Sequence, residues 1–497
     1  MKNKFKFHVD KPTCNCGIFG IHGNSDDLPL TTYFGLHALQ HRGQEASGIT
    51  VSYSNDAKIK SHFRTQKGFG LVSDVFTETD FLEKELNYHS SIGHNRYSTF
   101  GASGSRRNIQ PFVVNYRDGN LAVAHNGNLT NAKYLRKELE KDGAIFQTST
   151  DSEVILHLIA RSKKKEQIDQ IKEACEQIEG AFSVVIMTDK CLIGVRDPQG
   201  VRPLCLGKKD DSYIITSETC ALDINSAEYI RDVEPGEMLV VSKYLDATEQ
   251  LRSFRISEKN FIKHCVFEYI YFSRPDSKVF NSNVDKMRRK LGKNLALNHA
   301  VRDKDGEKVI VISVPDSSNT AAIGYQNQLE KLGIDSKLEI GLIRSHYIGR
   351  TFILPAQKKR EIGVRIKFNT VKGVLENRTV VIIDDSIVRG TTSKQLVSLI
   401  KEANPKEIHM RISSPPIYHP CYYGMDFPSK EELIANRFPN IESIAKHLGV
   451  DSLEFMTEEE MLDSMIDHAP DEFCTACFTG KYPIPVKDLE LNNTDTK

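Results

Sequence analysis

The most chemically informative pattern in this chain is the run VVIIDDSIVRGTTS at residues 380–393. Residues 380–383 are apolar and fit a buried parallel strand, and open α/β sheets bind ligands at the carboxyl ends of such strands. Asp384 and Asp385 stand at that end, and the hydroxyl-rich loop after them opens a helix whose N-terminus suits a phosphate. Because two carboxylates would repel the phosphate itself, we expect them to face ribose hydroxyls or a divalent cation. The run therefore predicts a sugar-phosphate site.

Other interpretations of this loop fit less well. It has neither the Gly-Lys of a Walker A motif nor the G-x-G-x-x-G of a dinucleotide fold. An ordinary strand–turn–helix whose hydroxyls only cap the helix stays open as an alternative. The run resembles the phosphoribosyl pyrophosphate signature of type I phosphoribosyltransferases. That resemblance implies that the following residues bind this substrate: Asp384, Asp385, Ser386, Arg389, Gly390, Thr391, Thr392 and Ser393.

A second strand–loop–helix unit precedes this one. Residues 309–314 read VIVISV and are apolar except for Ser313, residues 315–318 form a polar loop, and Gly333 can end the helix that follows. In the family pattern, this earlier loop approaches the pyrophosphate. The resemblance therefore implies a Mg²⁺ site lined by Ser317, Asp384 and Asp385.

The chain between the two units is strongly basic. From Arg344 to Lys372 there are eight Lys or Arg residues and a single acid, Glu361. A solvated basic loop is the simplest interpretation. Residues 347–352 resemble the mobile loop of the family, however, which implies a lid that closes over the substrate and carries Arg350.

Near the amino end, a cysteine begins a short apolar strand, CGIFGI at residues 16–21. A thiolate nucleophile needs a base, and an α-amino group with a pKa of about 7.7–8.0 can serve when the nucleophile is the first residue. That arrangement requires removal of residues 1–15 as a propeptide. Cys14 is a rival nucleophile, but Asn15 follows it, whereas the matching strand begins Cys-Gly. We therefore prefer Cys16.

Four more motifs follow in order: QHRGQE at residues 40–45, GHNRYST at 93–99, AHNGNL at 124–129 and STD at 149–151. Taken singly, Asn-Gly fits a hairpin turn and Arg96 fits a surface charge. Together with Cys16, the motifs resemble the class II glutamine amidotransferase domain. The resemblance assigns the glutamine pocket to Arg96, Thr99 and Asp151, and the oxyanion donors to Asn126 and Gly127.

The cysteines fall into two groups. Ten cysteines in 497 residues are too few for a disulfide scaffold, and several lie in apolar surroundings that suit buried structural residues. The pair Cys474 and Cys477 is open to a redox, zinc or iron–sulfur interpretation. Its context resembles the bacterial amidophosphoribosyltransferases that carry a [4Fe–4S] cluster. That resemblance implies four thiolate ligands: Cys265, Cys421, Cys474 and Cys477. A structural zinc ion with the same ligands stays open.

Composition sets broad bounds on the protein. A chain of 497 residues fits about two to four domains. Lys plus Arg and Asp plus Glu both total 66, so no global charge points to nucleic acid or a membrane surface. No segment approaches the roughly 18 uninterrupted apolar residues of a membrane span, and residues 1–15 lack a signal-peptide core. We therefore expect a cytoplasmic protein.

All these motifs occur in the order of the amidophosphoribosyltransferase family, across residues 16–485. The resemblance implies an α+β N-terminal-nucleophile domain of stacked antiparallel sheets at residues 16–255. An α/β type I phosphoribosyltransferase domain is implied at 256–440, and residues 441–497 are expected to hold C-terminal helices, cluster ligands and a polar tail.

The reaction implied takes glutamine, water and phosphoribosyl pyrophosphate to 5-phosphoribosylamine, glutamate and pyrophosphate, the first committed step of purine synthesis. Inhibition by purine nucleotides and a homo-oligomer, either tetramer or dimer, are further expectations from the family. Two alternatives compete with this assignment. A sugar-phosphate synthase would share the amidotransferase domain, but the pattern at residues 380–393 argues against it. A non-enzymatic sensor of phosphoribosyl pyrophosphate would need no glutamine pocket, so the glutamine-pocket residues argue against that alternative.

Overall fold

The computed structural model describes residues 16–54, 61–78, 80–83, 86–97, 104–242, 250–257, 261–345, 367–427 and 429–488. The predicted propeptide, Thr99, Arg350 and most of the basic stretch lie outside these ranges. Their assigned roles therefore stay predictions.

The first half of the chain forms two antiparallel sheets. Their strands are β1 (Gly17–His22), β2 (Ala46–Ser54), β3 (His62–Phe69), β4 (Asn87–Arg96), β5 (Phe112–Tyr116), β6 (Gly119–Leu129), β7 (Gly180–Thr188), β8 (Leu192–Arg196), β9 (Cys205–Lys209), β10 (Ser212–Thr216), β11 (Glu228–Asp232), β12 (Glu237–Val241) and β13 (Leu251–Arg255). The strand order is β11-β9-β10-β1-β4-β2-β3 in one sheet and β13-β12-β8-β7-β6-β5 in the other.

Alternation of side chains along the strands explains why these sheets stack. In β6, Ala122 and Ala124 join the apolar layer between the sheets, whereas Leu121 and Val123 face the opposite way. Helices cover the outer faces: Leu28–Ala38 on the first sheet, and Glu153–Arg161 and Gln167–Gln177 on the second. This four-layer arrangement confirms the predicted domain of stacked antiparallel sheets.

The second half is organised around a parallel sheet. Its strands and the short paired strands beside it are β14 (His264–Cys265), β15 (Lys278–Val279), β16 (Ser282–Asn283), β17 (Val309–Ser313), β18 (Ser336–Leu338), β19 (Leu342–Arg344), β20 (Phe368–Thr370), β21 (Thr379–Asp384), β22 (Glu407–Ile412), β23 (Ser452–Phe455) and β24 (Phe473–Cys474). The main sheet has the order β18-β17-β21-β22-β23, with β21 in the centre. Val381 and Ile383 of β21 face one apolar core, and Val380 and Ile382 face the other, which confirms the predicted buried parallel strand.

The predicted boundary at residue 440 needs correction. Strand β23 pairs in parallel with β22, and helix Ile441–Leu448 packs in the same apolar core, so the sheet unit continues to Phe455. A four-residue strand after a short helix carries little periodic signal, which explains why the sequence did not reveal it. The other predicted boundary, at residue 255, coincides with the end of β13.

Helices connect and cover these sheets. The helices of the described chain not yet named are Val72–Val75, Asp80–Glu83, Ala132–Lys141, Cys220–Asp223, Val284–Asn298, Asn319–Lys331, Lys372–Leu375, Thr391–Lys401, Ile434–Arg437, Glu458–Leu462 and Ala476–Thr479, with a π-helix at Glu268–Phe272 and 3₁₀ turns at Arg106–Asn108, Lys430–Glu432 and Pro470–Glu472. Within the described ranges, no helix combines the length and the apolar character needed to cross a lipid bilayer.

Candidate active sites and a four-cysteine site

The predicted sugar-phosphate loop lies between β21 and the helix Thr391–Lys401. Asp384 ends the strand, and Gly390 immediately precedes the helix. Gly390 has φ of +79°, a left-handed conformation, and a Cβ atom there would come within 2.2 Å of the Ile434 side chain. The turn therefore requires glycine. This is the strand–loop–helix geometry that the sequence predicted for a phosphate site.

The two carboxylates beside this loop are buried and accept hydrogen bonds from the neighbouring loop. Ser317 donates to Asp385 Oδ2, and Ser318 donates to Asp384 Oδ1 at 3.2 Å and to Asp385 Oδ2 at 3.3 Å. Ser317 thus lies against the acid pair, as the sequence predicted. Ser318 was not predicted, because a single serine after a strand carries no distinct signal. The resulting cluster of oxygen atoms is the kind of donor set that Mg²⁺ prefers.

A buried arginine, Arg288, holds the loop that carries Ser317 through hydrogen bonds to backbone oxygens. It donates to the backbone oxygens of Tyr269 and Ser273, both at 2.7 Å, and to that of Ser317 at 3.5 Å. Burial lowers the pKa of Arg288, and the nearby Asp385 carboxylate acts in the opposite direction. The sequence did not single out Arg288, because it lies in the basic run KMRRK at residues 286–290, outside any motif.

Two exposed arginines near the loop are engaged in ion pairs. Arg389 Nε lies 2.9 Å from Glu432 Oε2. Arg344, at the start of the basic stretch, lies 3.0 Å from Asp316 in the pyrophosphate-side loop. Both ion pairs are exposed, and exposed pairs contribute little to stability. Neither therefore fixes its arginine firmly in place.

Cys16 is buried immediately before β1. Its Sγ atom lies 3.7 Å from the backbone oxygen of Tyr97, which follows the predicted glutamine-binding Arg96. Burial raises the pKa of the Cys16 thiol to about 11, and the Arg96 guanidinium offsets only part of that shift. The thiol is therefore neutral near pH 7, and nucleophilic attack requires a base to remove its proton.

Asn126 and Gly127 lie on β6, across from the start of β1. His94 pairs in register with Ile18 of β1, and its ring nitrogen lies 3.2 Å from the backbone oxygen of His125. The Asn126 side chain is fully buried, and within the described residues neither its oxygen nor its nitrogen has a hydrogen-bond partner. A buried amide without partners is unfavourable unless a ligand supplies them. Asn126 is therefore a strong candidate for a substrate-facing group.

Asp151 is held in place by a hydrogen-bonded network. Its Oδ2 accepts from the backbone N–H of Leu129 at 2.9 Å, and its Oδ1 lies 3.1 Å from Ser152 Oγ. Ser152 in turn lies 2.9 Å from His125 Nδ1 and 3.3 Å from Gln110 Nε2. The sequence predicted Asp151 but not Ser152 or Gln110, whose contacts join distant segments. The network holds the Asp151 carboxylate near the Cys16 thiol, and the negative charge of Asp151 contributes to the raised pKa of Cys16.

Four cysteines, which we call the cysteine site, line one small cavity: Cys265, Cys421, Cys474 and Cys477. All four are free thiols, and the parallel pairing of β14 with β24 sets Cys265 beside Cys474. Burial raises the pKa of Cys265 to about 12, and the nearby Arg202 guanidinium offsets only part of that shift. The structure thus brings together the four cysteines that the sequence grouped.

Two kinds of metal group take four thiolate ligands of this kind. In the described part of the chain, no three His, Cys, Asp or Glu side chains converge as they would on a single ion. A zinc ion draws its thiolates to about 2.3 Å from one point. A [4Fe–4S] cluster instead binds one thiolate at each iron, so its ligands surround a wider space. The donor set fits either group chemically, so the choice between them stays open.

A buried ionic network connects the two halves of the chain. Glu268 of the π-helix lies 2.5 Å from Arg42 Nη2 and 3.3 Å from Arg202 Nη1, and all three side chains are fully buried. Arg42 also lies 2.5 Å from Glu218. Burial raises the pKa of Glu218, but His41 and Arg42 outweigh it and hold that pKa below its ordinary value. Of these residues, only His41 and Arg42 belong to a motif singled out in the sequence, QHRGQE, and neither was assigned a role.

Comparison with known proteins gives consistent results over nearly the whole chain. A family model described as a glutamine amidotransferase domain matches residues 94–223. The amidophosphoribosyltransferase of Bacillus subtilis (strain 168) is 46% identical, over 95% of this chain and 94% of its own length. The chloroplastic amidophosphoribosyltransferase 1 of Arabidopsis thaliana is 47% identical, over 98% of this chain and 82% of its own.

A solved structure gives the same match in three dimensions. The glutamine phosphoribosylpyrophosphate amidotransferase from B. subtilis, complexed with ADP and GMP, superimposes with a TM-score of 0.84 at 45% identity. The match covers 95% of this chain and 98% of that one. Both halves of the chain, and therefore both candidate sites, fall within it.

Proposed function

The chain belongs to the amidophosphoribosyltransferase family, and on that basis we propose which of its residues carry out the reaction and which groups they hold. The enzyme hydrolyses glutamine and transfers the ammonia to 5-phosphoribosyl 1-pyrophosphate, which gives 5-phosphoribosylamine, pyrophosphate and glutamate. This reaction is the first committed step of purine synthesis.

Cys16 is the proposed nucleophile for glutamine hydrolysis. After removal of residues 1–15, its own α-amino group takes the thiol proton, and the sulfur attacks the amide carbon of glutamine. The Asn126 side chain and the Gly127 N–H donate to the oxyanion that forms. The C–N bond then breaks as the α-ammonium returns its proton to the leaving ammonia, and water hydrolyses the thioester to glutamate.

The rest of the glutamine pocket is proposed to recognise the α-groups of the substrate. Arg96 pairs with the α-carboxylate, and Asp151 accepts from the α-ammonium, while Thr99 orients the substrate. The observation that carries the assignment of this half is the buried amide of Asn126, which has no partner among the described residues. An oxyanion supplies the partner that this amide lacks.

The transfer half is proposed to lie at the carboxyl end of β21. The loop residues Ser386, Arg389, Gly390, Thr391, Thr392 and Ser393 hold the 5-phosphate, with Arg350 on a lid. Asp384 and Asp385 bind the ribose hydroxyls, and with Ser317 they fit a Mg²⁺ ion, because their oxygens already cluster. When bound, Mg²⁺ supplies positive charge opposite the departing pyrophosphate. The fixed carboxylates orient the anomeric carbon towards the incoming ammonia.

The cysteine site is proposed to hold a [4Fe–4S] cluster, with a structural zinc ion as the alternative. Four thiols around one cavity supply the donor set, and the family resemblance favours the cluster. Its role is structural, because the thiols join β14, the 421–423 segment and β24. Metal ligation would therefore contribute to the folding free energy of the C-terminal part.

Regulation, assembly and location are proposed from the relatives. Binding of purine nucleotides as inhibitors is supported by the B. subtilis structure complexed with ADP and GMP. A homo-oligomer, tetramer or dimer, is carried over from the family resemblance. A cytoplasmic location is carried over from the sequence analysis, and the Arabidopsis relative is named chloroplastic.

Separate assays of the two half-reactions test the proposal. Cys16→Ser should abolish glutamine use and retain synthesis from high ammonia, because the transfer site is untouched. Asp384→Asn combined with Asp385→Asn should cripple transfer and leave basal glutamine hydrolysis measurable. Loss of both activities in a folded Cys16→Ser protein, or normal transfer in the double variant, would contradict the assignment of the corresponding site.

A further inference from the structure

Two hydrogen bonds join the glutamine domain to consecutive carbonyl groups beside Cys421. Asn128 Nδ2 donates to the backbone oxygen of Tyr422 at 2.9 Å. Arg202 Nε donates to the backbone oxygen of Tyr423 at 3.1 Å. Both donors come from the glutamine domain, and both acceptors belong to the segment that leaves the cysteine site. The mechanism described above uses neither donor.

The other side of this segment is held by the cysteine site. Cys421 lines the cavity, and its Sγ atom accepts from the backbone N–H of Tyr423 at 3.3 Å. Tyr482, which also lines the cavity, donates to the backbone oxygen of Pro420 at 2.7 Å and packs against Tyr422 with ring centroids 5.0 Å apart. The acceptor of the Asn128 hydrogen bond is therefore fixed by the residues around the thiols.

Asn128 occupies a sensitive position on β6. It follows Asn126 by two residues, so their side chains share one face of the strand. On the other side of Asn128, the next residue, Leu129, donates its backbone N–H to Asp151. A displacement of residue 128 would therefore move the oxyanion donors on one side and the support of the glutamine-binding carboxylate on the other.

We infer that Asn128 is a positioning residue for glutamine hydrolysis, which anchors the strand carrying the oxyanion donors to the backbone of the cysteine site. The inference rests on the proposed roles of Asn126 and Gly127. Asn128 does not touch glutamine in this scheme. It acts through the strand, and the packed 421–423 segment supplies the fixed point against which the strand is held.

The test compares Asn128→Ala with Asn120→Ala in the complete enzyme. Asn120 lies on the same strand and face, and its Nδ2 donates to Ser61 O at 2.9 Å and to Asp189 Oδ1 at 2.8 Å, remote from both sites. For Asn128→Ala we expect kcat/KM for glutamine to fall about tenfold, which is close to the net worth of one hydrogen bond. Synthesis from ammonia and the metal content per chain should match the wild type. The Asn120 control should keep the wild-type ratio of glutamine to ammonia activity.

A second readout measures the site directly. The rate at which a glutamine-like electrophile alkylates Cys16 should fall in Asn128→Ala and not in Asn120→Ala. Retention of the wild-type activity ratio by Asn128→Ala, or equal loss of both activities together with metal, would overturn the inference. Asn126→Ala is measured in parallel to separate the two levels of the argument. If both Asn128→Ala and Asn126→Ala keep glutamine activity, the proposed oxyanion role fails together with the role of Asn128. If Asn126→Ala loses glutamine activity and Asn128→Ala keeps it, only the role of Asn128 fails.

Discussion

Asn126→Ala should remove most of the glutamine activity without destabilising the protein. The Asn126 side chain is fully buried, and its amide has no hydrogen-bond partner among the described residues. Truncation therefore breaks no hydrogen bond to the described residues and removes a polar group whose burial is unfavourable. We expect the melting temperature to be unchanged or raised.

The size of the effect follows from the number of oxyanion donors. Gly127 contributes its backbone N–H, which the substitution leaves in place, so one of two donors is lost. Loss of one such donor costs about 10²–10³ in kcat, or about 2.7–4 kcal/mol of transition-state stabilisation. The KM for glutamine should change little, because the proposed partners of the α-groups, Arg96 and Asp151, are unchanged. Synthesis from ammonia should keep its wild-type rate.

Steady-state rates with glutamine and with ammonia, together with thermal unfolding, measure these effects. Asn120→Ala is the matched control, because its amide makes two described hydrogen bonds and lies away from both sites. The control should lose stability and keep its glutamine activity, the reverse of Asn126→Ala. If Asn126→Ala retained more than about a tenth of the glutamine-dependent kcat, an oxyanion role worth two to three orders of magnitude would be refuted.

Three further predictions concern processing, metal and pH. N-terminal sequencing of active enzyme should begin at Cys16, and active protein that still begins at Met1 or Cys14 would contradict the propeptide. Anaerobically purified enzyme should contain about four irons per chain. Changing any thiol of the cysteine site to serine should give unstable protein, because an incomplete ligand set loses metal-linked folding free energy on the order of several kcal/mol. A colourless, fully active protein with one tightly held zinc would rule out the cluster. Stability should fall as the pH drops from about 6.5 to about 3, because burial lowers the pKa of His94 to about 3 and the unfolded chain therefore binds that proton first. His94→Gln should flatten this dependence in unfolding measured against pH, and a slope equal to that of the wild type would exclude His94 as its source.

The sequence was most informative where chemistry is encoded in short local runs. The pattern of residues 380–393 predicted a central parallel strand, a glycine turn and a helix start, because each depends on neighbouring residues. The family resemblance implied that Ser317 lies with Asp384 and Asp385, and Ser317 donates a hydrogen bond to Asp385 in the structure. The local conformation that such runs favour is the one that the folded chain adopts.

Contacts between distant segments were not predictable in the same way. Asn128 and Tyr422 are separated by 294 residues, and neither a hydrogen bond to a backbone carbonyl nor the buried Arg288 leaves a distinctive spacing. The strand β23 was missed for a related reason. It is four residues long, and its pairing with β22 is decided by the sheet that receives it.

The buried ionic network explains how the two halves keep one relative orientation. A buried ion pair is weak evidence for stability, because the cost of desolvating both charges offsets much of their attraction. Glu268 nevertheless lies between Arg42 and Arg202, which stand on separate loops of the glutamine domain. A domain arrangement that separated Glu268 from them would leave charges buried without a partner, at a cost of about 3–5 kcal/mol for each broken pair. The network therefore selects one docking geometry. Such a fixed interface is what ammonia transfer demands, since ammonia that met bulk water on its way from Cys16 to the anomeric carbon would be protonated and lost as a nucleophile.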